Sequence, residues 1–116
     1  MMWTTEHTTV TDASREAIWK VWADVNNWPM WDRGLESCCL NGDFKTGTSY
    51  ALKPVGGSEV QSVITDCVSL KRFTDVTKLP LAKMEFTHEL AERQDGLHVT
   101  HRLTISGPLS FFFAQV

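Results

Sequence analysis

Residues 84–90 place Met84, Phe86, His88 and Leu90 on one side of an alternation whose other side is Glu85, Thr87 and Glu89. Residues 97–105 repeat the pattern, with Leu97, Val99, His101, Leu103 and Ile105 set against His98, Thr100, Arg102 and Thr104. A period of two is the mark of a strand with one buried and one solvated face. Between the runs lies Arg93-Gln94-Asp95-Gly96, the chemistry of a tight turn, so residues 82–106 are predicted to form a β-hairpin. A Gln94-Asp95 turn puts His88 directly opposite His101, whereas an Asp95-Gly96 turn makes them diagonal neighbours. Either register leaves two imidazoles on the apolar side, where a polar ring needs a partner or a cavity.

Earlier in the chain the period changes twice. Residues 3–11, rich in threonine, predict a first strand near a sheet edge. Ser14 as N-cap, Glu16 in the first turn, and Ile18, Trp19, Trp22 and Val25 at helical spacing predict an amphipathic helix over 14–24, with Trp19 and Trp22 toward the core. Asn26-Asn27-Trp28-Pro29 breaks that helix, and Met30-Trp31-Asp32 is expected to form a further short turn of helix. Beyond it the signals are β: strands over 35–40, 48–53, 60–68 and 71–76, with turns at 41–43 and 54–58, and Leu79-Pro80-Leu81 leading into the hairpin. The order is one strand, one or two helices, then six strands, an α+β chain. A helix of about eleven residues, near 17 Å long, cannot cover so wide a sheet. After Gly107-Pro108, residues 109–116 begin a strongly apolar segment, Leu109-Ser110-Phe111-Phe112-Phe113-Ala114-Gln115-Val116, which reads as the opening turns of a long helix. The expectation is a truncated C-terminal helix: either the chain is a fragment or a partner completes the fold.

Composition narrows the function. At 116 residues the chain fits one domain, and a net charge of -3 with scattered lysines and arginines gives no basic patch for a nucleic acid. No apolar run approaches the roughly 20 residues that span a bilayer, and the first residues lack the segments of a signal peptide, so a cytoplasmic location is expected. The three cysteines include the adjacent Cys38 and Cys39, which point to opposite faces of a strand and are poorly placed to bridge. They read as reduced packing residues, with a redox role for the exposed member as the alternative. No spacing suggests a metal site, Gly56-Gly57 reads as a hairpin turn rather than a phosphate loop, and no nucleophile motif occurs. Asp32, Asp43 and Asp66 have no partner at a useful spacing, while Asp24 and Asp32 flank the aromatic segment and are as suited to capping as to touching a ligand.

The run Asp12-Ala13-Ser14-Arg15-Glu16-Ala17-Ile18-Trp19, followed by Trp22-Ala23-Asp24-Val25-Asn26-Asn27-Trp28-Pro29-Met30-Trp31-Asp32, resembles the helix and loop of the polyketide cyclase/dehydrase group in the START-like (SRPBCC) superfamily. Gly42-Asp43-Phe44-Lys45-Thr46-Gly47, the pair Phe86 and His88, and Val99-Thr100-His101 leading to Ser106-Gly107-Pro108-Leu109 are similar to the same group. The resemblance implies a helix-grip fold over residues 1–116, a curved antiparallel sheet around a long C-terminal helix with a deep apolar cavity between them. It also implies a hydrophobic ligand such as a lipid, polyketide or quinone; no cofactor is expected.

On that reading Trp28 and Trp31 border the cavity from a loop, Tyr50 and Phe73 are walls depending on register, and Phe86, His88, His101 and Leu103 line it from the hairpin. His88 and His101 are either satisfied core residues or cavity groups that orient a carbonyl or hydroxyl, or act as acid and base. Three functions follow: a binding module for a hydrophobic small molecule, a cofactor-independent cyclase or dehydratase using the two histidines, and an interaction module whose open groove is filled by a second chain, a homodimer included.

Overall fold

The threonine-rich start of the chain forms β1 (Met2–Thr11), after which Ser14 accepts the Ala17 N–H at 3.1 Å and opens α1 (Arg15–Ala23). The computed structural model describes residues 2–108. The expected long C-terminal helix would begin in residues 109–116 and lies outside the described residues. A 3-10 helix (Val25–Met30) follows α1, and then come β2 (Leu35–Leu40), β3 (Ser49–Pro54), β4 (Val60–Val68), β5 (Arg72–Leu79), β6 (Ala82–Arg93) and β7 (Gly96–Ser106).

The seven strands make one antiparallel sheet in the order β1-β7-β6-β5-β4-β3-β2. After β1 the chain crosses through its helices to the far edge and returns as a meander of hairpins, so that β7 closes against β1. The first strand is thus an edge strand, as its polar composition predicts.

Two local expectations need correction. The short helix comes earlier than residues 30–32: Trp28 and Pro29 lie inside it and Trp31 is its C-cap, with the Trp31 N–H donating to the Trp28 carbonyl at 3.2 Å. The bias of a pre-proline residue away from helix is overridden because the Trp28 indole is buried and donates from Nε1 to the Trp22 carbonyl at 3.1 Å. The strand expected over 71–76 continues to Leu79, and residues 80–81 form a tight turn with Leu81 at φ 55°. That turn has none of the usual glycine or asparagine, which hides it from composition.

The hairpin takes the first of the two registers: Arg93 faces Gly96 and His88 faces His101. Gly96 is obligatory here, with φ 131° and a Cβ position that would fall 2.9 Å from the Thr11 carbonyl oxygen.

The two faces of the sheet differ sharply. On the outer face Arg102 bridges Glu6 at 2.7 Å and Glu89 at 3.0 Å, and threonines pair across strands at Thr4–Thr104 and Thr8–Thr100. On the inner face α1 and the 3-10 helix pack Trp22, Val25 and Trp28 onto Tyr50, Ile64, Phe73, Leu90 and Leu97, and Trp19 joins from the side. The Arg15 guanidinium fixes the start of α1 by donating to the Leu70 carbonyl at 2.8 Å.

Candidate functional site

Cross-strand partners share a face, so the registers define what the inner wall presents. Phe73 on β5 faces His88 on β6, His88 faces His101 on β7, and His101 faces His7 on β1. Three neighbouring strands therefore each carry one imidazole in a row, from the exposed edge at His7 inward. The His88 ring lies flat on Phe73, centroids 4.2 Å apart and planes 5° from parallel, and stacks on Phe86 at 4.5 Å. Trp22 of α1 meets His88 edge-on at 5.3 Å, and His101 stands 4.8 Å from His88 at 70°. Leu103 faces Phe86 across the same hairpin.

Enclosure among these rings sets the charge. Burial, joined by the proximity of His101, pushes His88 down to about 3. Burial also lowers His101, helped by the proximity of His7. Both wall imidazoles are neutral at pH 7. Nδ1 of His88 and Nε2 of His101 are closed off from solvent and meet no hydrogen-bond partner among the described residues.

A second polar pair lies beside the row. Asp75 on β5 faces Phe86, and its Oδ2 accepts the Tyr50 hydroxyl from β3. Burial raises Asp75 to about 6 against the opposing pull of the Tyr50 hydrogen bond, and burial together with the Asp75 charge pushes the Tyr50 phenol far up. Ser62 and Thr77, also buried, bond each other one step further along the sheet. Asp75 and His7 escaped the sequence reading. Asp75 sat in a strand whose inward side was not fixed, and His7 joins the row only through the pairing of the chain's first and last described strands.

The residues predicted for a site divide into two groups. Phe86, His88, His101 and Leu103 are partly buried on the inner face of the hairpin. Tyr50 and Phe73 are fully buried at 0% exposure and Trp28 at 8%, packed on one another beneath the helices, while Trp31 is 56% exposed and touches Trp28 edge-on. Trp28 is therefore a helical core residue rather than the loop residue expected. Asp24 and Asp32 are engaged locally, accepting from the Asn27 side chain at 2.8 Å and the Gly34 N–H at 2.9 Å. All three cysteines are free, and burial raises Cys38 and Cys67, which keeps both as thiols; Cys39 is exposed.

Among the described residues no group of three or more His, Cys, Asp or Glu side chains could hold a metal ion, so the histidine row stands side by side without converging. No helix among them is long and apolar enough to cross a membrane. Two surface concavities lie away from the row, one of about 500 Å³ at Arg15, Lys71 and Arg72, the other of about 650 Å³ on the outer face at Val63 and Val76.

The sequence matches no family model and no curated protein. Solved structures do match its fold. Norcoclaurine synthase from Thalictrum flavum, solved in complex with dopamine and hydroxybenzaldehyde, superposes with a TM-score of 0.76 at 15% identity over 99% of this chain and 76% of its own. A START superfamily protein from Mycobacterium smegmatis gives 0.73 at 16% identity over 91% of this chain and 78% of its own. The di-domain ARO/CYC protein StfQ from the steffimycin biosynthetic pathway gives 0.79 at 13% identity, over 94% of this chain and 38% of its own. The chain has the START-like helix-grip fold, an α+β architecture, as the resemblance in its sequence implied.

Proposed function

We propose that the inner face of the sheet binds a hydrophobic small molecule, with the whole chain acting as one START-like binding domain. The observation that carries this reading is the pair His88 and His101: two neutral imidazoles set among Trp22, Phe73, Phe86 and Leu103, each with a nitrogen that no described residue satisfies. A core position of that size is more economically filled by a phenylalanine, and an unpaired buried polar atom costs about 1–3 kcal/mol. A ligand wall gives the imidazoles a purpose that packing does not, since few polar groups on an apolar surface fix the orientation of a bound molecule. The solved proteins of this fold include enzymes and a START superfamily member, which is in keeping with such a use of the inner face.

Asp75 favours a second reading, a cofactor-independent cyclase or dehydratase. A carboxyl that burial holds near 6, beside neutral imidazoles, has a protonation state suited to proton transfer near neutral pH.

Native mass spectrometry of the purified protein tests the binding reading. The expected result is a monomer that retains a small neutral adduct or takes one up from a panel of hydrophobic compounds. A dimer that excludes every compound would assign the face to a second chain instead.

A further inference from the structure

The enclosed nitrogens decide more than whether the wall is polar. Nδ1 is the sealed atom in His88 and Nε2 in His101, so the nitrogens not enclosed in this way are Nε2 of His88 and Nδ1 of His101. A neutral imidazole has one N–H and one bare nitrogen, and the tautomer follows the surroundings of each. A sealed N–H without an acceptor is among the rarest features of folded proteins, because the donor loses its hydration and gains nothing. The sealed nitrogen is therefore the bare one in both rings.

We propose that His88 is the Nε2–H tautomer and His101 the Nδ1–H tautomer, presenting two N–H donors to the inner face, and that the ligand is an uncharged, largely apolar molecule bearing a carbonyl oxygen. This deepens the binding reading above and rests on it. With both bare nitrogens sealed, the imidazole pair itself offers no acceptor for a hydroxyl proton. A carbonyl uses the donors and leaves nothing of its own unpaired.

Charge points the same way. From β1 to β7 no lysine or arginine occupies a position that shares the face of His7, His101, His88 and Phe73. A carboxylate ligand beside the histidines would meet no cation from the strands, with Arg15 of α1 already engaged by the Leu70 carbonyl and Glu92, and would lie near the acid Asp75 and forfeit its hydration. Fatty acids and other anionic lipids are thereby disfavoured, whatever the shape of the space.

Fluorene, 9-fluorenone and fluorene-9-carboxylate share one rigid skeleton and differ in the group at a single carbon. Titrated against tryptophan emission at pH 7.5, fluorenone is expected to bind about tenfold more tightly than fluorene, the worth of two modest hydrogen bonds, and the carboxylate more weakly than either. The preference should vanish in His88→Phe and His101→Phe and persist in His88→Gln and His101→Asn, which keep an amide N–H near the same place. Long-range ¹H–¹⁵N spectra of the imidazoles read the tautomers independently of any ligand. Equal binding of fluorene and fluorenone, a preference that survives the phenylalanine variants, tight binding of the carboxylate, or the opposite tautomers would overturn the proposal while leaving hydrophobic binding intact. Failure of all three compounds to bind would overturn both.

Discussion

His88 lies parallel to Phe73 at a centroid distance of 4.2 Å, and burial at this position, joined by the proximity of His101, keeps the imidazole from holding a proton. Its folded value of about 3 lies below its unfolded value of 6.5, so below pH 6.5 the unfolded chain takes up the proton first. Wild-type protein is expected to lose stability steadily as pH falls from 6.5 toward 3, by an amount on the order of several kcal/mol for this group. His88→Phe removes that dependence, so its urea midpoint should fall less over the same range, and at pH 7.5 it should be at least as stable as wild type. Parallel pH dependences for the two proteins would show that His88 is protonated in the fold.

His7 supplies the outermost imidazole of the row and lowers His101 when it is charged. His7→Gln is expected to raise the His101 value toward the ordinary histidine range and to leave the fold unchanged, since His7 is exposed on an edge strand. An NMR titration of the His101 ring protons measures this. An unchanged or lower value would mean that the two rings do not sense each other.

Tyr50 donates to Asp75 and so pulls its value down against the effect of burial. Tyr50→Phe should raise the Asp75 value above about 6 and cost about 1–3 kcal/mol through the unpaired carboxyl. Because a raised acid stabilises the fold in its protonated form, the cost is smallest near pH 4 and grows as pH rises through the folded value. Chemical denaturation of the variant at pH 5 and pH 8 should show the larger penalty at pH 8. A penalty independent of pH would place the loss in packing alone.

Local pattern made the hairpin legible: the alternation through Leu90 and Leu97, with Asp95-Gly96 between, left only a choice of two registers. Ser14 likewise announced the start of α1, and the threonines of residues 3–11 an edge strand. What remained hidden depends on distant partners. His7 becomes a neighbour of His101 only when β1 closes against β7, a pairing that no local signal encodes. Asp75 turns inward through the pairing of β5 with β4, which contains an irregularity between Ile64 and Asp66 that shifts the register. Trp28 looked like a loop residue because Pro29 follows it, and its burial against Tyr50 and Phe73 together with the indole bond to the Trp22 carbonyl holds it in the 3-10 helix. A slip of one residue in any strand would have exchanged the two faces, so a candidate wall could be written from the sequence but not its depth.

The central claim is that the inner face of the β6–β7 hairpin, beside Trp22, receives a neutral apolar ligand. The most direct measurement is a ¹H–¹⁵N correlation spectrum of the full chain titrated with 9-fluorenone. The predicted result is saturable shifts concentrated at Trp22, Phe86, His88, His101 and Leu103. Shifts confined to the outer face around Val63 and Val76, or no saturable shift at all, would contradict it.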